Sequence, residues 1–434
     1  MSVGTQRYLH VIQRYFPFRG GSERYFQAFS ERFARRGAEV QVVTSDAWDL
    51  EYFWDPNAKR INEPEAQHNG VAISRVPVRH LPVSSISHRA TRRLMAESGR
   101  LPFPGRKSLL RAGSRFGPWL PSLEGELERV GPPDLVNSAN IAFESMIDAA
   151  GRYARRRDVP HVVTPFLHVG EANDSRVVRY YTMPHQLDLL RQADAVMLLT
   201  EIERDALLEL GLDERHLHIV GAGIDVDSVT GGNADAARGC LGVDGPIVLA
   251  LGAAAYDKGT MHLMNAIQML RKSGDDVHLV LAGPMMSEVR RRLDAMDKTQ
   301  AEGIHALGFV SDEVRRDLLA AADVVALPSR TESFGLVFME AWANLKPVIG
   351  ARAGAIPAVV SDGEDGLLVP FGDVAALADA IRQLIQFGSM ARTLGERGSS
   401  KVVTEDAWFE RVRDLYSTVG GTSAAIHTPI GANR

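Results

Sequence analysis

The chain has 434 residues, of which 45% are apolar and 24% charged, and its net charge is -5. This length and composition predict a globular protein of two domains, and the small negative charge excludes bulk binding of nucleic acid. The single cysteine, Cys240, excludes an internal disulfide framework. Because no apolar run is long enough to span a bilayer and residues 1–16 lack the apolar core of a secretion signal, we expect a cytoplasmic protein.

The N-terminal stretch predicts a strand, a glycine loop, a helix and a second strand. The strands are expected at residues 8–12 and 39–43, and the helix at residues 22–36 with Ser22 as its cap. Gly20 and Gly21 between strand and helix would let the backbone approach a ligand. A plain turn explains the two glycines equally well.

A basic segment runs from Arg75 to Arg115. It contains ten basic residues against one acid, Glu97, and prolines at 77, 82, 102 and 104 argue against long helices. One interpretation is a face for anionic lipid head groups, hence peripheral membrane contact, or for a phosphorylated acceptor. We favour a solvated insertion, because no apolar stripe accompanies the charge.

Further strands are predicted at residues 133–136 and 161–164. The second leads into His168, at the carboxyl end of a strand, where doubly wound folds place their ligands. A lone histidine there is also consistent with a structural role. His216 and His218 alternate along a strand without a third ligand, so we expect no metal site.

The second half repeats this pattern. Strands are predicted at residues 247–251 and 277–282, with a loop from Gly252 to Gly259 and a helix at residues 261–272 between them. Lys258 therefore lies in a loop at the carboxyl end of a strand. A compact cation there would balance a leaving diphosphate, although a surface lysine explains it as well.

The most informative stretch is a buried strand at residues 324–327, a loop containing Glu332, and a helix from about residue 336 that carries Glu340. The helix start leaves amides without partners and adds partial positive charge, which favours phosphate. Those amides belong to Ser333, Phe334, Gly335 and Leu336. Carboxylates beside an anion site make sense if they accept hydrogen bonds from hydroxyl groups, and a nucleotide sugar supplies both phosphates and hydroxyls.

Glu332 and Glu340, followed by residues 346–350 (KPVIG) and 362–369 (DGEDGLLV), resemble the pattern of the GT4 family of retaining glycosyltransferases, the glycosyl transferases of group 1. The resemblance implies the α/β class and the GT-B fold, with two Rossmann-like doubly wound domains facing a cleft. It implies an N-terminal domain of residues 1–225, completed by a helix at 404–420, and a donor domain of residues 226–403. Residues 421–434 are expected to be disordered.

The resemblance also assigns roles. Glu332 would bind hydroxyls of the transferred sugar and act in catalysis with His168, while Glu340 would bind the ribose. The diphosphate would meet Lys258, Gly252 and the amides of residues 333–336, and Val310 would lie near the base. Gly20 and Gly21 would face the donor phosphates and the acceptor. Where the family has an arginine this chain has Ala253, so either Lys258 and the amides suffice, Arg330 or Arg352 substitutes, or the donor is held differently.

The expected activity is that of a retaining, metal-independent hexosyltransferase without a cofactor. The donor would be a UDP, GDP, ADP or dTDP sugar, and the hydroxyl acceptor a glycan, a lipid-linked sugar or a small molecule. An epimerase or phosphorylase of the same architecture stays open, as does a sugar-nucleotide binding protein without activity, which Ala253 favours.

Overall fold

Two separate sheets organise the computed structural model, in which we describe residues 5–18, 20–81, 84–171 and 174–421. The first sheet has the order β3-β4-β2-β1-β5-β6-β7-β8 and is parallel except where β3 runs antiparallel to β4. Its strands are β1 Arg7–Val11, β2 Glu39–Ser45, β3 Glu65–His68, β4 Val71–Val76, β5 Leu135–Ala139, β6 His161–Thr164, β7 Ala195–Leu198 and β8 Leu217–Ile219.

The second sheet is parallel throughout and has the order β11-β10-β9-β12-β13-β14. Its strands are β9 Ile247–Leu251, β10 His278–Ala282, β11 Ile304–Gly308, β12 Val324–Leu327, β13 Val348–Ala351 and β14 Leu367–Val369. Strand order reverses beside β1 and β9, and in such sheets ligands bind beyond the carboxyl ends of the strands at that point. The predicted α/β class is confirmed, with one doubly wound sheet in each half.

Helices connect the parallel strands, as parallel pairing requires. Those before β9 are α1 Gly21–Arg35, α2 Ser84–Ser98, α3 Arg106–Ser114, α4 Leu123–Arg129, α5 Glu144–Arg157, α6 Ser175–Val178, α7 Pro184–Arg191, α8 Glu201–Glu209, α9 Val226–Val229 and α10 Ala234–Leu241. Those after β9 are α11 Thr260–Lys272, α12 Ser287–Asp294, α13 Lys298–Ala301, α14 Asp312–Ala321, α15 Leu336–Ala343, α16 Ile356–Val359, α17 Val374–Gln386, α18 Gly388–Ser399 and α19 Glu405–Val419. Short 3₁₀ turns lie at Leu50–Phe53, Ile141–Phe143 and Glu214–His216.

The C-terminal helix α19 packs against the first sheet. Its apolar side chains recur at helical spacing, and the Tyr416 ring stacks on Phe33 of α1 with centroids 4.9 Å apart. The Tyr416 hydroxyl also lies 2.8 Å from the Asn137 amide nitrogen of β5, and Arg32 pairs with Glu405. The domain boundaries inferred from the sequence stay predictions, and the tail call falls mostly on residues 422–434, outside the described part.

The two halves touch beside a cleft. The Gly354 amide donates to the Gly170 carbonyl at 2.7 Å, and Glu171 and Ala353 form an isolated β-bridge next to it. These contacts join the loop after β6 to the loop after β13. The carboxyl ends of the strands in both sheets therefore face a common space.

Some sequence predictions were wrong. The basic segment contains the 15-residue helix α2, because Pro77, Pro102 and Pro104 all fall outside it. Ser22 does not cap α1: the N-cap residue is Gly20, and no side chain caps that end. The β3–β4 hairpin and α18 were not predicted. Within the described ranges, no helix is long and apolar enough to cross a membrane.

Candidate active site

The cleft between the two sheets has a volume of about 880 Å³, within the range of small-molecule sites. Both halves contribute to its wall. The loops after β1, β5 and β6 and helix α2 line one side, and the loops after β9, β10 and β12 with α14 and α15 line the other. Every side chain and glycine assigned a role from the sequence lines this cleft.

The loops after β9 and β12 are locked together. The carbonyl of Asp257 accepts hydrogen bonds from the Arg330 amide at 2.9 Å and from the Ser329 hydroxyl at 3.1 Å. A Cβ on Gly259 would lie 2.2 Å from the Pro328 carbonyl oxygen, so glycine permits this close approach. The contact brings Lys258 to the loop that carries Glu332.

Lys258 and Glu332 form an ion pair in this structure. The Lys258 ammonium also donates to the Thr331 carbonyl oxygen at 2.9 Å. Both side chains are partly accessible, at 26% for Lys258 and 15% for Glu332. The cation and the acid that the sequence assigned to diphosphate and sugar are thus adjacent, and a ligand could meet both.

Helix α15 begins at the cleft with Gly335 as its N-cap residue and without a side-chain cap. Gly335 has φ +88°, a left-handed conformation that favours glycine, and a Cβ there would lie 2.7 Å from the Phe338 ring. The first-turn amides of an α-helix have no intrahelical partner, and the helix dipole adds positive charge. This end of α15 therefore suits phosphate oxygens.

Glu340 lies on the first turns of α15 and pairs through Oε1 with Arg315 of α14. Its side chain is 7% exposed and that of Arg315 is 11% exposed. The second carboxylate oxygen, Oε2, is buried and has no hydrogen-bond partner in the described part of the chain. A buried acceptor without a partner is costly, so this oxygen is suited to a hydroxyl group of a ligand.

His168 follows β6 and packs its ring edge-on against Tyr181, with centroids 4.8 Å apart. Burial, with a smaller contribution from the nearby Lys258 ammonium, lowers the pKa of His168 to about 3. The ring is therefore neutral near pH 7, and its Nδ1 is buried without a hydrogen-bond partner among the described residues. A neutral imidazole here can donate or accept a hydrogen bond but carries no charge.

The remaining predicted positions also lie at the cleft. A Cβ on Gly20 would lie 2.3 Å from Glu23 Oε2, whereas a Cβ on Gly21 would meet nothing within 4 Å. Gly252 has φ +110°, and its amide donates to the Ala282 carbonyl at 2.9 Å. Val310 is partly buried at the start of the loop before α14.

The two arginines suggested as substitutes at Ala253 do not line the cleft. Arg330 binds Asp257 at 2.7 Å, and Arg352 binds Asp362 at 2.7 Å. Ala253 itself does line the cleft. That part of the sequence hypothesis was wrong, because the side chains leave their loops on the side away from the cleft.

Other functional candidates were missed from the sequence. Arg315 sits on the predicted helix α14, but nothing local showed that it would reach Glu340. Arg14 and Glu23 form a buried pair at 3.0 Å beside the glycine loop. Glu23 also accepts from the Gln13 amide at 3.0 Å. The spacing of basic residues on α2 was a usable signal, considered below.

Family models match both halves. A model described as glycosyl transferase 4-like domain matches residues 20–223, and one described as glycosyl transferases group 1 matches residues 245–386. The D-inositol 3-phosphate glycosyltransferase of Mycolicibacterium smegmatis is 32% identical over 235 residues, which are 52% of this chain and 52% of that protein. Mannosylfructose-phosphate synthase of Agrobacterium fabrum is 27% identical over 249 residues, 55% of each chain. The chain thus spans about half the length of the curated relatives it matches.

Solved structures show the same fold. That of Anabaena HepE in complex with UDP and glucose has a TM-score of 0.70 at 17% identity, covering 95% of this chain and 100% of that one. Sucrose-phosphate synthase of Thermosynechococcus elongatus has a TM-score of 0.69 at 20% identity, covering 96% and 100%. The GT-B fold is confirmed. Since the two matched models together take in most of the sequence, the chain belongs to the glycosyl transferases of group 1, the family predicted from its acidic pair.

Proposed function

We propose that the chain transfers a hexosyl group from a nucleotide-diphosphate sugar to a hydroxyl acceptor, with retention of configuration and without a metal. The observation that carries the proposal is Glu340, whose Oε2 is buried without a described partner beside the open amino end of α15. This acceptor oxygen and this anion site suit a ribose hydroxyl and a diphosphate on the same ligand.

The proposed chemistry follows from these positions. The acceptor oxygen bonds to the anomeric carbon as the bond from that carbon to the diphosphate oxygen breaks. The acceptor proton passes to the leaving phosphate oxygen, and reaction on one face retains the configuration. The amides of α15 and the Lys258 ammonium stabilise the negative charge that develops on the leaving group. Glu332 orients the sugar hydroxyls, and neutral His168 offers a hydrogen bond to the sugar.

A donor screen followed by product analysis tests the proposal. UDP-glucose is the first donor to try, because Anabaena HepE, which has a similar fold, was solved with UDP-glucose. GDP, ADP and dTDP sugars follow, each by thermal shift, since a ligand of the native state raises its apparent stability. The transferred sugar should keep its anomeric configuration by NMR, with full activity in EDTA. An inverted product would contradict retention, and donor binding without transfer or hydrolysis would favour a binding protein.

We also propose peripheral contact with an anionic membrane through α2, α3 and their connection. Four large apolar side chains there are at least 48% exposed: Leu94, Leu101, Leu109 and Phe116. Exposed basic residues, Arg100, Lys107 and Arg115, lie among them. Apolar side chains with basic neighbours bind anionic lipid surfaces. The apolar stripe that the sequence analysis found lacking is therefore supplied by residues spread over two helices, while the cytoplasmic location stays a prediction.

Vesicle sedimentation tests this contact. We expect the protein to sediment with vesicles containing phosphatidylglycerol but much less with phosphatidylcholine alone. A variant with Leu101→Ser and Leu109→Ser should lose that binding. The matched control changes Arg392→Gln and Arg397→Gln, which are exposed on α18, and should bind as the unaltered protein does. Equal binding to both vesicle types would contradict the proposal.

A further inference from the structure

The cleft carries more positive charge than its proposed donor site uses. Seven basic and three acidic side chains line it, although the whole chain has a net charge of -5. The basic ones are Arg14, Arg24, Arg89, Arg92, Arg93, Lys258 and Arg315, and the acidic ones are Glu23, Glu332 and Glu340. Such a local excess of cations attracts an anionic ligand.

Most of these cations already have an acidic partner. Arg14 pairs with Glu23, Lys258 with Glu332, Arg315 with Glu340, Arg24 with Asp312 and Arg92 with Glu144. Arg89 and Arg93 differ. Both are exposed, and neither forms an ion pair with any described residue. Their charge is therefore available to a ligand.

Arg89 and Arg93 lie on α2, on the wall formed by the N-terminal half and away from the donor loops. With His88 and Arg92 they are spaced i, i+1, i+4 and i+5, which places all four on one side of a helix. All four line the cleft. The basic face of α2 is thus turned inward, while Leu94 on the same helix is 70% exposed.

Arg92 fixes this orientation of α2. Its Nη1 lies 2.5 Å from Oε1 of Glu144, a carboxylate with no exposed side-chain area. Its Nη2 donates to the Tyr180 carbonyl at 3.2 Å. A buried, paired arginine at the middle of the face holds the helix at one rotation. Arg89 and Arg93 are then presented to the cleft on either side of it.

The surroundings favour a carbohydrate bearing an anion. The Trp54 ring lies at the same wall and stacks near His88, with centroids 5.4 Å and planes 26° apart. Burial, with a smaller contribution from Arg92, lowers the pKa of His88 to about 4, so its ring is neutral near pH 7. Phe143 also lines this wall. Aromatic faces offer apolar contact to a sugar ring, while paired guanidinium groups match the oxygens of a phosphate.

We propose that Arg89 and Arg93 bind a phosphate group carried by the acceptor, so that the enzyme prefers phosphorylated acceptors over their neutral counterparts. The inference rests on the proposed transfer function and names its acceptor class. The phosphate is that of a soluble sugar phosphate or of a lipid head group, since both present the same oxygens to the arginines.

The experiment compares matched acceptors in initial-rate assays. Glucose and fructose are measured against their 6-phosphates, and myo-inositol against its 1-phosphate, while vesicles containing phosphatidylinositol form the lipid arm. We expect kcat/KM for the phosphorylated member of one pair to exceed that of its neutral counterpart by about tenfold or more, the size of a charge-assisted contact. Transfer confined to the vesicle arm would also support the proposal and would assign the phosphate to a lipid.

Variants locate the site. The double variant Arg89→Gln and Arg93→Gln should lose the preference for phosphate while its KM for the donor stays unchanged. Arg115→Gln, an exposed arginine of the same basic segment outside the cleft, is the matched control and should keep the preference. A double variant that keeps the preference, or an unaltered protein that uses neutral and phosphorylated acceptors equally, would overturn the proposal.

Failure of the transfer function gives a different result. In that case no donor binds and no acceptor reacts, yet calorimetry with inorganic phosphate still tests the arginines. Phosphate should bind the unaltered protein and the Arg115→Gln control more tightly than the double variant. Equal binding to all three would overturn the site independently of catalysis.

Discussion

Arg315 of α14 binds one oxygen of Glu340 on α15 and leaves the other oxygen buried without a partner among the residues described. The two side chains are 11% and 7% exposed. The arginine therefore acts as a positioning residue: it holds the carboxylate while Oε2 faces a ligand. Glu340 alone is the family feature, whereas this partner is a property of the present chain's fold.

Replacing Arg315 by methionine should weaken donor binding. The change leaves Glu340 with no counter-ion in a largely buried place, and removing one member of such a pair costs ~3 kcal/mol of stability. We expect a higher KM for the donor with a smaller change in kcat, measured by initial rates, and a lower midpoint of urea unfolding. Arg316→Met, the next residue and outside the cleft, is the control and should change neither. An unchanged donor KM in Arg315→Met would contradict the positioning role.

The two acids should fail in different ways. Glu332→Gln removes the charge that pairs with Lys258 and contacts the sugar, so turnover should fall strongly, by about a hundredfold, which is the size of ~2.7 kcal/mol in the transition state. Glu340→Ala should mainly raise the KM for the donor, because the ribose loses its acceptor. Initial rates over a range of donor concentrations separate kcat from KM. Small and equal effects from both changes would contradict these roles.

Local signals explain what the sequence predicted well. The segment from β12 to α15 was placed to within a residue, because a short β-branched strand, a proline, a glycine and a run of helix formers are all read within one stretch of chain. Strand β6 and helix α14 were predicted with the observed bounds for the same reason. The GT-B fold and its family followed from the spacing of Glu332 and Glu340.

Contacts between distant segments could not be predicted in this way. Lys258 meets Glu332 across 74 positions of sequence, and the bond of Arg330 to Asp257 crosses 73. Whether an arginine faces a cleft or leaves it depends on how two loops pack, so Arg330 was a plausible substitute that the fold turned away. The inward face of α2 was within reach: the spacing of Arg89, Arg92 and Arg93 was visible, but prolines nearby argued against a helix.

Gly335 should tolerate no side chain. Its left-handed φ of +88° costs any L-residue about 1–2 kcal/mol, and a Cβ would also lie 2.7 Å from the Phe338 ring. Gly335→Ala should therefore destabilise the chain and raise the KM for the donor, because the start of α15 must shift. Gly363→Ala is the matched control, with φ +74° and no atom within 4 Å of the new Cβ. Urea unfolding should show the larger loss for Gly335→Ala, and equal losses would contradict the predicted clash.

Glu203 should make stability depend on pH. Its carboxylate accepts from the Leu167 and Leu199 amides at 2.7 Å each and so holds the loop in which Phe166 has φ +46° and His168 follows. Burial raises the pKa of Glu203 from 4.5 to about 7. Between these values the folded protein keeps a proton that the unfolded chain has lost. Because the folded state binds more protons, its contribution to stability is full below pH 4.5 and falls as pH rises to 7, by about 3 kcal/mol.

Glu203→Gln removes this titration while keeping one acceptor oxygen. Urea unfolding of the unaltered protein and the variant between pH 4.5 and pH 7.5 should give a difference in unfolding free energy that changes by about 3 kcal/mol in favour of the variant as the pH rises. Glutamine accepts fewer hydrogen bonds than a carboxylate, so a constant loss of ~1–3 kcal/mol is expected at every pH. Glu201→Gln, exposed on the same turn of α8, should follow the pH slope of the unaltered protein. Parallel curves for Glu203→Gln and the unaltered protein would mean that the carboxyl titrates alike in both states, and the loop before His168 would then owe nothing to its protonation.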